Sequence, residues 1–401
     1  MSLPLSGARL AFSADGLAVF FADHHRALAG KLADDAPRRF FAAGDDPASA
    51  AHALGEAGLN AYVVPEKLGG APVGRPDSEA YIDVRSLVTI REALGQVSPL
   101  ADAIFAVQGL GSYPIALAGS SEQRARYLPG VLTGERVGAF ALTEPEAGSD
   151  VASLATRAHK TRDGWTLDGQ KTLISNVGIA THFVVFARAT GDGIDDKKSI
   201  TAFLVDAETR GLSTSPLRMS SPHPLGDVVF EACHVDDAAR IGEVGKGMSI
   251  ALGTLDAFRI SVGAAANGMA TRALAEAVTR VSARKQFGAV LAEQQMVRAY
   301  LAEMATELDA ARLLVARAAH ARDTTERRVT TEAAMAKLFA TEAAQTIIDK
   351  ALQLHGGSGV LLGSAVEALY RDIRALRIYE GTSEIQKLVI ARAVLGQASV
   401  R

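Results

Sequence analysis

Apolar residues recur with a different period in each third of this 401-residue chain. Up to about residue 136 they follow a helical period, and from residue 245 onward that period returns. Between these segments lie short β-rich runs, such as residues 183–186 and 201–205. Because the strands form one block and do not alternate with helices, segregated layers are favoured. We therefore predict an α+β protein with an N-terminal helical domain at 1–136, a middle β-sheet domain at 137–244 and a C-terminal four-helix bundle at 245–401.

Glycine and proline pairs predict where individual elements end. Asp-Gly pairs at 163–164 and 168–169 predict turns on either side of a short strand. The Pro-Gly pair at 129–130 punctuates a helical stretch that we predict at 122–132. In the last third, apolar residues step by four or three, the spacing of a packed bundle helix, at Val297, Leu301, Met304, Leu308, Ala311 and Val315.

Charge and cysteine content exclude several classes of protein. The chain has 42 Lys and Arg against 45 Asp and Glu, so it has no excess of positive charge to neutralise nucleic-acid phosphates. Its one cysteine, Cys233, cannot form an intrachain disulfide, and no Cys/His spacing predicts a metal site. No apolar run approaches the length of a membrane span. We expect a cytoplasmic protein that binds neither nucleic acid nor membrane.

The segment 379–386 holds the strongest local pattern for chemistry. Ser383 and Gln386 have capping-box spacing and precede an apolar run, which predicts the start of the last helix at Ser383. Glu380 lies just upstream beside Gly381, which permits close approach of another molecule. A closed apolar pocket would raise the pKa of this carboxylate and improve it as a base. The alternative is an ordinary capped helix with a solvated glutamate.

Four further patterns have a structural interpretation, and the first two of them also have a functional one. Residues 139–150 run from a strand into a loop of small and hydroxyl residues that could hold a heterocycle or phosphate, or form an acidic loop junction. Residues 284–288 offer a phosphate clamp beside an aromatic, or a solvated turn. Residues 353–359 predict a helix C-cap and turn. Asp256 and Arg259 have the spacing of a surface ion pair on a helix. No G-x-G-x-x-G follows a strand, so a Rossmann site has little support.

Taken together and in this order, these segments resemble the acyl-CoA dehydrogenase family. The similar strings are VVPEKLGG at 63–70, ALTEPEAGSD at 141–150, DGxK at 168–171, RKQFG at 284–288, QLHGGSG at 353–359 and IYEGTSEIQ at 378–386. The resemblance covers essentially the whole chain.

The resemblance implies that FAD is bound between the β domain and the bundle, partly covered by a neighbouring subunit. The residues implied to line the cofactor are Phe140, Leu142, Thr143, Ser149, Leu173 and Ser175. Those implied to contact the cofactor of the partner subunit are Arg284, Phe287, Gln295, Gln353 and Gly357. The residues implied to hold its ADP end are Thr382 and Glu384.

The resemblance also implies a reaction. Glu380 would remove a proton from the α-carbon of an acyl-CoA while a hydride leaves the β-carbon for FAD. The residues implied to contact the substrate are Ser149, Asp256, Arg259 and Gly381. An electron-transfer flavoprotein is the implied electron acceptor, fatty acid β-oxidation the pathway, and a homotetramer or dimer the assembly.

Some positions depart from the family pattern. Leu173 stands where most members have Trp, and Ser175 where they have Thr. Phe258 occupies the position where some members carry the base, so the assignment falls on Glu380 alone. The change at Leu173 keeps one alternative open, a flavin-dependent acyl-CoA oxidase. A second alternative is a catalytically silent flavoprotein that acts as a binding or assembly subunit. No Lys or Arg lies between residues 91 and 124, so we expect a neutral acyl chain.

Overall fold

The computed structural model describes residues 10–195 and 199–396. Its helices are α1 Ser13–Gly16, α2 Asp23–Ala43, α3 Pro47–Glu56, α4 Val84–Val97, α5 Pro99–Ala118, α6 Ser121–Thr133, α7 Gly247–Ala283, α8 Gln295–Thr324, α9 Thr330–His355, α10 Ala365–Leu376 and α11 Ser383–Val394. Its strands are β1 Gly138–Ala141, β2 Arg157–Lys160, β3 Gly164–Ser175, β4 His182–Thr190, β5 Ile200–Asp206, β6 Leu212–Leu217, β7 Leu225–Asp236, β8 Arg240–Ile241, β9 Lys285–Gln286 and β10 Ala289–Val290. The predicted order of helical, β and helical segments is confirmed.

By packing, the described residues form two compact units. Unit 1 contains residues 10–45, 83–102 and 258–396, and unit 2 contains residues 46–82 and 103–257. Packing therefore groups the chain differently from its sequence order. The domain boundaries at residues 136 and 244 stay predictions.

Unit 2 is built on an eight-stranded mixed sheet. Its strand order is β6-β7-β3-β2-β4-β5-β8, and β1 pairs with β4 as well. Both β1 and β2 run parallel to β4, along successive parts of it. Strand β4 is buried along most of its length, which explains its nearly continuous apolar sequence.

Strand β3 continues through the Asp-Gly pair for which we predict a turn. The pairing of β3 with β7 shifts register between Leu167 and Gly169, which is a β-bulge and not a hairpin. Gly169 has φ +142°, and a Cβ atom there would lie 2.8 Å from Thr156 Cα. The Asp168 carboxylate accepts a hydrogen bond from Ala232 N at 2.7 Å. The turn predicted at 168–169 is therefore wrong, because the bulge uses the same permissive glycine without reversing the chain.

Helix α6 likewise continues through its Pro-Gly pair. The helical stretch predicted at 122–132 is confirmed, and the Pro-Gly pair does not interrupt it, because Pro129 lies inside the helix. Ser120 and Gln123 form a capping box at its start, and Gly134, at φ +81°, ends it. Burial of apolar residues such as Val131 outweighs the hydrogen bond that proline removes.

Several helices of unit 1 pack around an apolar core. From residue 247 to residue 396 the structure has five helices, of which α7, α8 and α9 are long. Helices α4 and α7 approach so closely that a Cβ at Gly95 would lie 2.4 Å from the Ala265 carbonyl oxygen, and one at Gly268 would lie 2.3 Å from that of Glu92. Larger residues would separate these helices. The core includes Val262, Met269, Met304, Ile347, Ile348, Val366 and Ile373.

Two described helices, α5 and α7, are long and apolar enough to cross a membrane by length and composition. Most of each apolar window is buried inside the protein, 83% in α5 and 61% in α7. Core helices pass the same test, so this finding is weak evidence for a membrane span.

Candidate active site

A short loop between α10 and α11 carries Glu380, and its cap differs from the one we predict. Thr382 is the N-cap, and its hydroxyl accepts a hydrogen bond from Ile385 N at 3.3 Å. Ser383 is the first residue of α11 and donates to the carboxylate of Glu342. The predicted cap at Ser383 is wrong by one residue, because Gln386 turns toward the loop carbonyls and does not bond back to the cap.

Side chains from three helices hold the backbone of this loop. Arg259 Nε lies 3.3 Å from the Glu380 carbonyl oxygen, and Lys337 Nζ lies 2.8 Å from that of Gly381. Gln386 Nε2 donates to both oxygens, at 3.4 and 3.0 Å. Glu380 adopts φ +51°, a conformation that costs a non-glycine residue about 1–2 kcal/mol. These hydrogen bonds hold the loop in that strained conformation.

The Glu380 carboxyl group is suited to accept a proton. Its Oε2 atom is buried, and none of the described residues gives it a hydrogen bond. Burial raises the pKa of Glu380, while the cations Arg91, Arg259 and Lys337 oppose the rise. The upward shift of the Glu380 pKa agrees with our expectation, but the surroundings of this carboxyl group include cations as well as apolar groups.

A buried ion pair next to this loop was not found from the sequence. Arg91 of α4 makes two hydrogen bonds to Asp102, both 2.9 Å, and both side chains are buried. Arg91 Nη1 also donates to Ser261 Oγ at 3.1 Å. Burial raises the pKa of Tyr379, and the charge of Arg91 opposes that rise. The available signal in the sequence was Arg91 itself, a charged residue among apolar neighbours on α4. Because ionised groups are seldom buried without a partner, such a residue indicates a buried ion pair.

In unit 2, a buried lysine joins the loop after β1 to strand β3. Lys171 Nζ lies 2.7 Å from a Glu144 carboxylate oxygen and 3.1 Å from the Leu142 carbonyl oxygen. Thr172 N donates to the Thr143 carbonyl at 3.0 Å. Burial lowers the pKa of Lys171 to about 8, against the opposing charge of Glu144. These contacts place Leu142 and Thr143 beside the segment that contains Leu173, so the structure brings these predicted cofactor residues together.

The end of β3 presents an exposed leucine and a paired serine. Leu173 is 58% exposed at φ +55°. Ser175 Oγ lies 2.7 Å from Nε2 of His223, and burial lowers the pKa of that histidine to about 4. His223 is therefore neutral near pH 7. His223 was not found from the sequence, in which its position between two prolines, at 222 and 224, was the available signal.

The predicted cofactor residues of unit 2 fit the ring system of FAD. Phe140 is half-buried, Leu142 is buried, and Thr143 and Ser175 offer partly exposed hydroxyls. Leu173, which is exposed, lies on the same segment as Ser175. Ser149 lies exposed in the turn beyond Ala147, and Asp256 lies exposed on α7. Phe140, Leu142 and Leu173 provide apolar surface, and Thr143, Ser149 and Ser175 provide hydroxyl groups, as a flavin requires.

The predicted partner-subunit contacts all lie exposed in unit 1. Phe287, at the tip of the β9–β10 hairpin, is 96% exposed and has φ +53°. Arg284 is at the base of that hairpin, Gln295 begins α8, and Gln353 lies near the end of α9. Gly357 follows α9, and Glu384 lies exposed in the first turn of α11. Their roles stay predictions.

A His-His-Asp cluster elsewhere in unit 1 has the composition of a metal site. Donor atoms of His24, His25 and Asp83 lie within 4.8 Å of one another. His25 Nδ1 accepts a hydrogen bond from Ala22 N at 2.9 Å, so the ring proton is on Nε2, which lies 2.9 Å from the Asp83 carboxylate. A metal would need the lone pair of that nitrogen. We therefore assign no metal to the cluster.

Comparison with protein families covers nearly the whole chain. Residues 20–135, 139–233 and 245–395 match, in this order, the N-terminal, middle and C-terminal domain models of acyl-CoA dehydrogenase.

Individual relatives agree with the family match. A 3-(aryl)acrylate reductase of Clostridium sporogenes is 36% identical over 94% of this chain and 100% of its own. A caffeyl-CoA reductase–Etf complex subunit of Acetobacterium woodii is 36% identical over 88% of this chain and 91% of its own. The structure of butyryl-CoA dehydrogenase from Megasphaera elsdenii aligns with a TM-score of 0.85 and 30% identity, over 94% of this chain and 99% of that one. The chain therefore belongs to the acyl-CoA dehydrogenase family, FAD-dependent oxidoreductases that act on the CH–CH bond of acyl-CoA thioesters.

Proposed function

We propose that this protein oxidises an acyl-CoA to the trans-2-enoyl-CoA, with Glu380 as the base. The observation that carries the proposal is the Glu380 carboxylate, which lies on a loop held by three side chains. One of its oxygens is buried and receives no hydrogen bond from the described residues. A carboxylate oxygen that receives no hydrogen bond keeps its lone pairs available for a proton. Its raised pKa brings its basicity closer to the working pH.

In the proposed reaction, the substrate loses a proton and a hydride. Glu380 takes the proton from the α-carbon, and negative charge develops on the thioester oxygen. FAD, when bound, accepts the hydride that leaves the β-carbon. The chain itself orients the base, because Arg259, Lys337 and Gln386 hold the carbonyl groups of Glu380 and of Gly381, which follows it.

The proposed substrate has a neutral acyl chain. Residues 92–123 contain no Lys or Arg to pair with a terminal carboxylate. The relatives named for butyryl-CoA and for aryl acrylates are consistent with a short or aryl-bearing chain. We further propose a homotetramer or dimer in the cytoplasm, a role in fatty acid β-oxidation, and an electron-transfer flavoprotein as acceptor, supported by the relative that works in an Etf complex.

A panel of acyl-CoAs tests this function. FAD-loaded protein is mixed with butyryl-, hexanoyl-, phenylpropionyl- and glutaryl-CoA plus an artificial electron acceptor, and products are identified by mass spectrometry. We expect enoyl-CoA from the neutral substrates and little from glutaryl-CoA. Absence of enoyl-CoA from every member of the panel would refute the proposal.

Exposed Leu173 favours one alternative, an acyl-CoA oxidase, because an open flavin edge admits oxygen. Assays in air without acceptor distinguish the two enzymes. We expect hydrogen peroxide to form far more slowly than acceptor is reduced. Peroxide formation at the full turnover rate would identify an oxidase.

A further inference from the structure

Lys337 is a buried lysine with no role assigned so far beyond its contact with the loop. It lies in the middle of α9 on a face otherwise made of small residues, with Ala333, Ala340 and Ala344 at helical spacing. Its side chain is fully buried, and Nζ is 2.8 Å from the Gly381 carbonyl oxygen. An ammonium group loses its hydration in such a place, so an apolar residue would be preferred if only packing mattered.

Support of the loop backbone alone does not explain a charge here. Gln386, a neutral residue, already donates to the Gly381 carbonyl at 3.0 Å and to that of Glu380. A neutral donor is therefore sufficient for that hydrogen bond. What Lys337 adds is a positive charge beside Gly381, the residue that directly follows Glu380 in the chain.

The charge of Lys337 and that of Glu380 act on each other. Burial lowers the pKa of Lys337 to about 8, and Glu380 is the largest influence that opposes this shift. In turn, Lys337 is one of three cations that oppose the rise in the pKa of Glu380. The other titratable or charged groups that act on either member are Arg91, Asp102, Arg259, Glu342, Tyr379 and Glu384.

We propose that Lys337 is a positioning residue for the reaction, whose ammonium group holds the Gly381 carbonyl and keeps the adjoining Glu380 carboxylate ionised and ready to accept the α-proton. The inference rests on the proposed role of Glu380 as the base. It assigns Lys337 a charge-dependent function, distinct from the hydrogen bonds of Gln386.

The pH profile of a single turnover tests the charge. FAD-loaded protein is mixed anaerobically with butyryl-CoA between pH 5 and pH 9, and the rate of loss of flavin absorbance is recorded. In Lys337→Gln, which keeps a hydrogen-bond donor but loses the charge, we expect the acid limb of the profile to move about one pH unit higher. Lys337→Arg keeps the charge and is expected to restore the acid limb of the natural protein.

Lys350→Gln is the matched control, since Lys350 is also on α9 but pairs with Glu303 at 2.8 Å and lies outside the site. Its acid limb should not move. Should Lys337→Gln not fold, Lys337→Met, whose apolar side chain suits the buried position, must show the same shift. An acid limb that stays in place in the folded charge-free variant would overturn the inference.

A further variant separates this inference from the proposed function. If Glu380→Gln abolishes turnover while loss of the Lys337 charge leaves the acid limb unchanged, only the inference fails. If Glu380→Gln retains turnover, the base assignment itself fails.

Discussion

The Arg91–Asp102 ion pair offers a quantitative test of how unit 1 is stabilised. Arg91→Met would leave the Asp102 carboxylate buried without its cation and without two hydrogen bonds of 2.9 Å. Breaking a fully buried pair on one side costs about 3–5 kcal/mol. At about 2.1 cal/mol/K per residue, unfolding of the whole chain has an entropy near 0.8 kcal/mol/K, so the expected loss is about 4–6 °C in melting temperature.

The double variant Arg91→Met/Asp102→Leu separates the pair from its surroundings. Removing both charges leaves no uncompensated ion, so most of the lost stability should return. Lys350→Met is a control at an exposed pair, where Glu303 is 56% exposed, and should cost at most about 1 kcal/mol. Melting is followed by circular dichroism at one FAD concentration and one scan rate, since cofactor binding moves the midpoint. A single variant that melts within 2 °C of the natural protein, or a double variant no more stable than the single one, would refute this reasoning.

Two further predictions concern packing and pH. Gly268→Ala should lower the free energy of unfolding by about 1–3 kcal/mol and the melting temperature by roughly 1–4 °C, because its Cβ would lie 2.3 Å from a backbone oxygen of α4. Gly30→Ala is the control: no atom of the described residues outside its own helix backbone lies within 4 Å of a Cβ there, so this variant should be neutral or stabilising. Equal melting temperatures for the two variants would contradict the close approach of α4 and α7. Burial lowers the pKa of His182 to about 4 from an ordinary 6.5, so on acidification this histidine is protonated in the unfolded chain before it is protonated in the folded protein. The free energy of unfolding should therefore fall by up to about 3 kcal/mol as the pH drops from 6.5 to 4. Urea unfolding between pH 6.5 and pH 4 measures this effect, and in His182→Asn the loss of stability over that range should be smaller than in the natural protein. In His52→Asn, a control at an exposed position, the loss should match that of the natural protein. An unchanged loss in His182→Asn would contradict the assignment of the pH dependence to His182.

The sequence predicts the order of elements well because apolar periodicity reports which face of each element is buried. It predicts local punctuation less well, because the same residues serve several backbone geometries. The Asp-Gly pair at 168–169 forms a bulge and the Pro-Gly pair at 129–130 lies within a helix. In both cases burial of the neighbouring residues decides against the turn.

The candidate site was predicted in part. Glu380 could be singled out because a glycine and a helix cap surround it in the sequence. Its cationic neighbours could not, since Arg91 and Lys337 come from helices distant in sequence and become neighbours of Glu380 only when unit 1 packs. The charge around the base is therefore a property of tertiary structure, and it moderates the pKa that burial alone would give.

The most direct test of the central claim is the single-turnover rate of Glu380→Gln with butyryl-CoA, measured as loss of flavin absorbance under anaerobic conditions. Glutamine keeps the size of the side chain, so FAD content and melting temperature should match the natural protein. We predict that the rate falls by about 10²–10⁴-fold, which is the contribution expected of a positioned base. A rate within tenfold of the natural protein at equal FAD content would contradict the account.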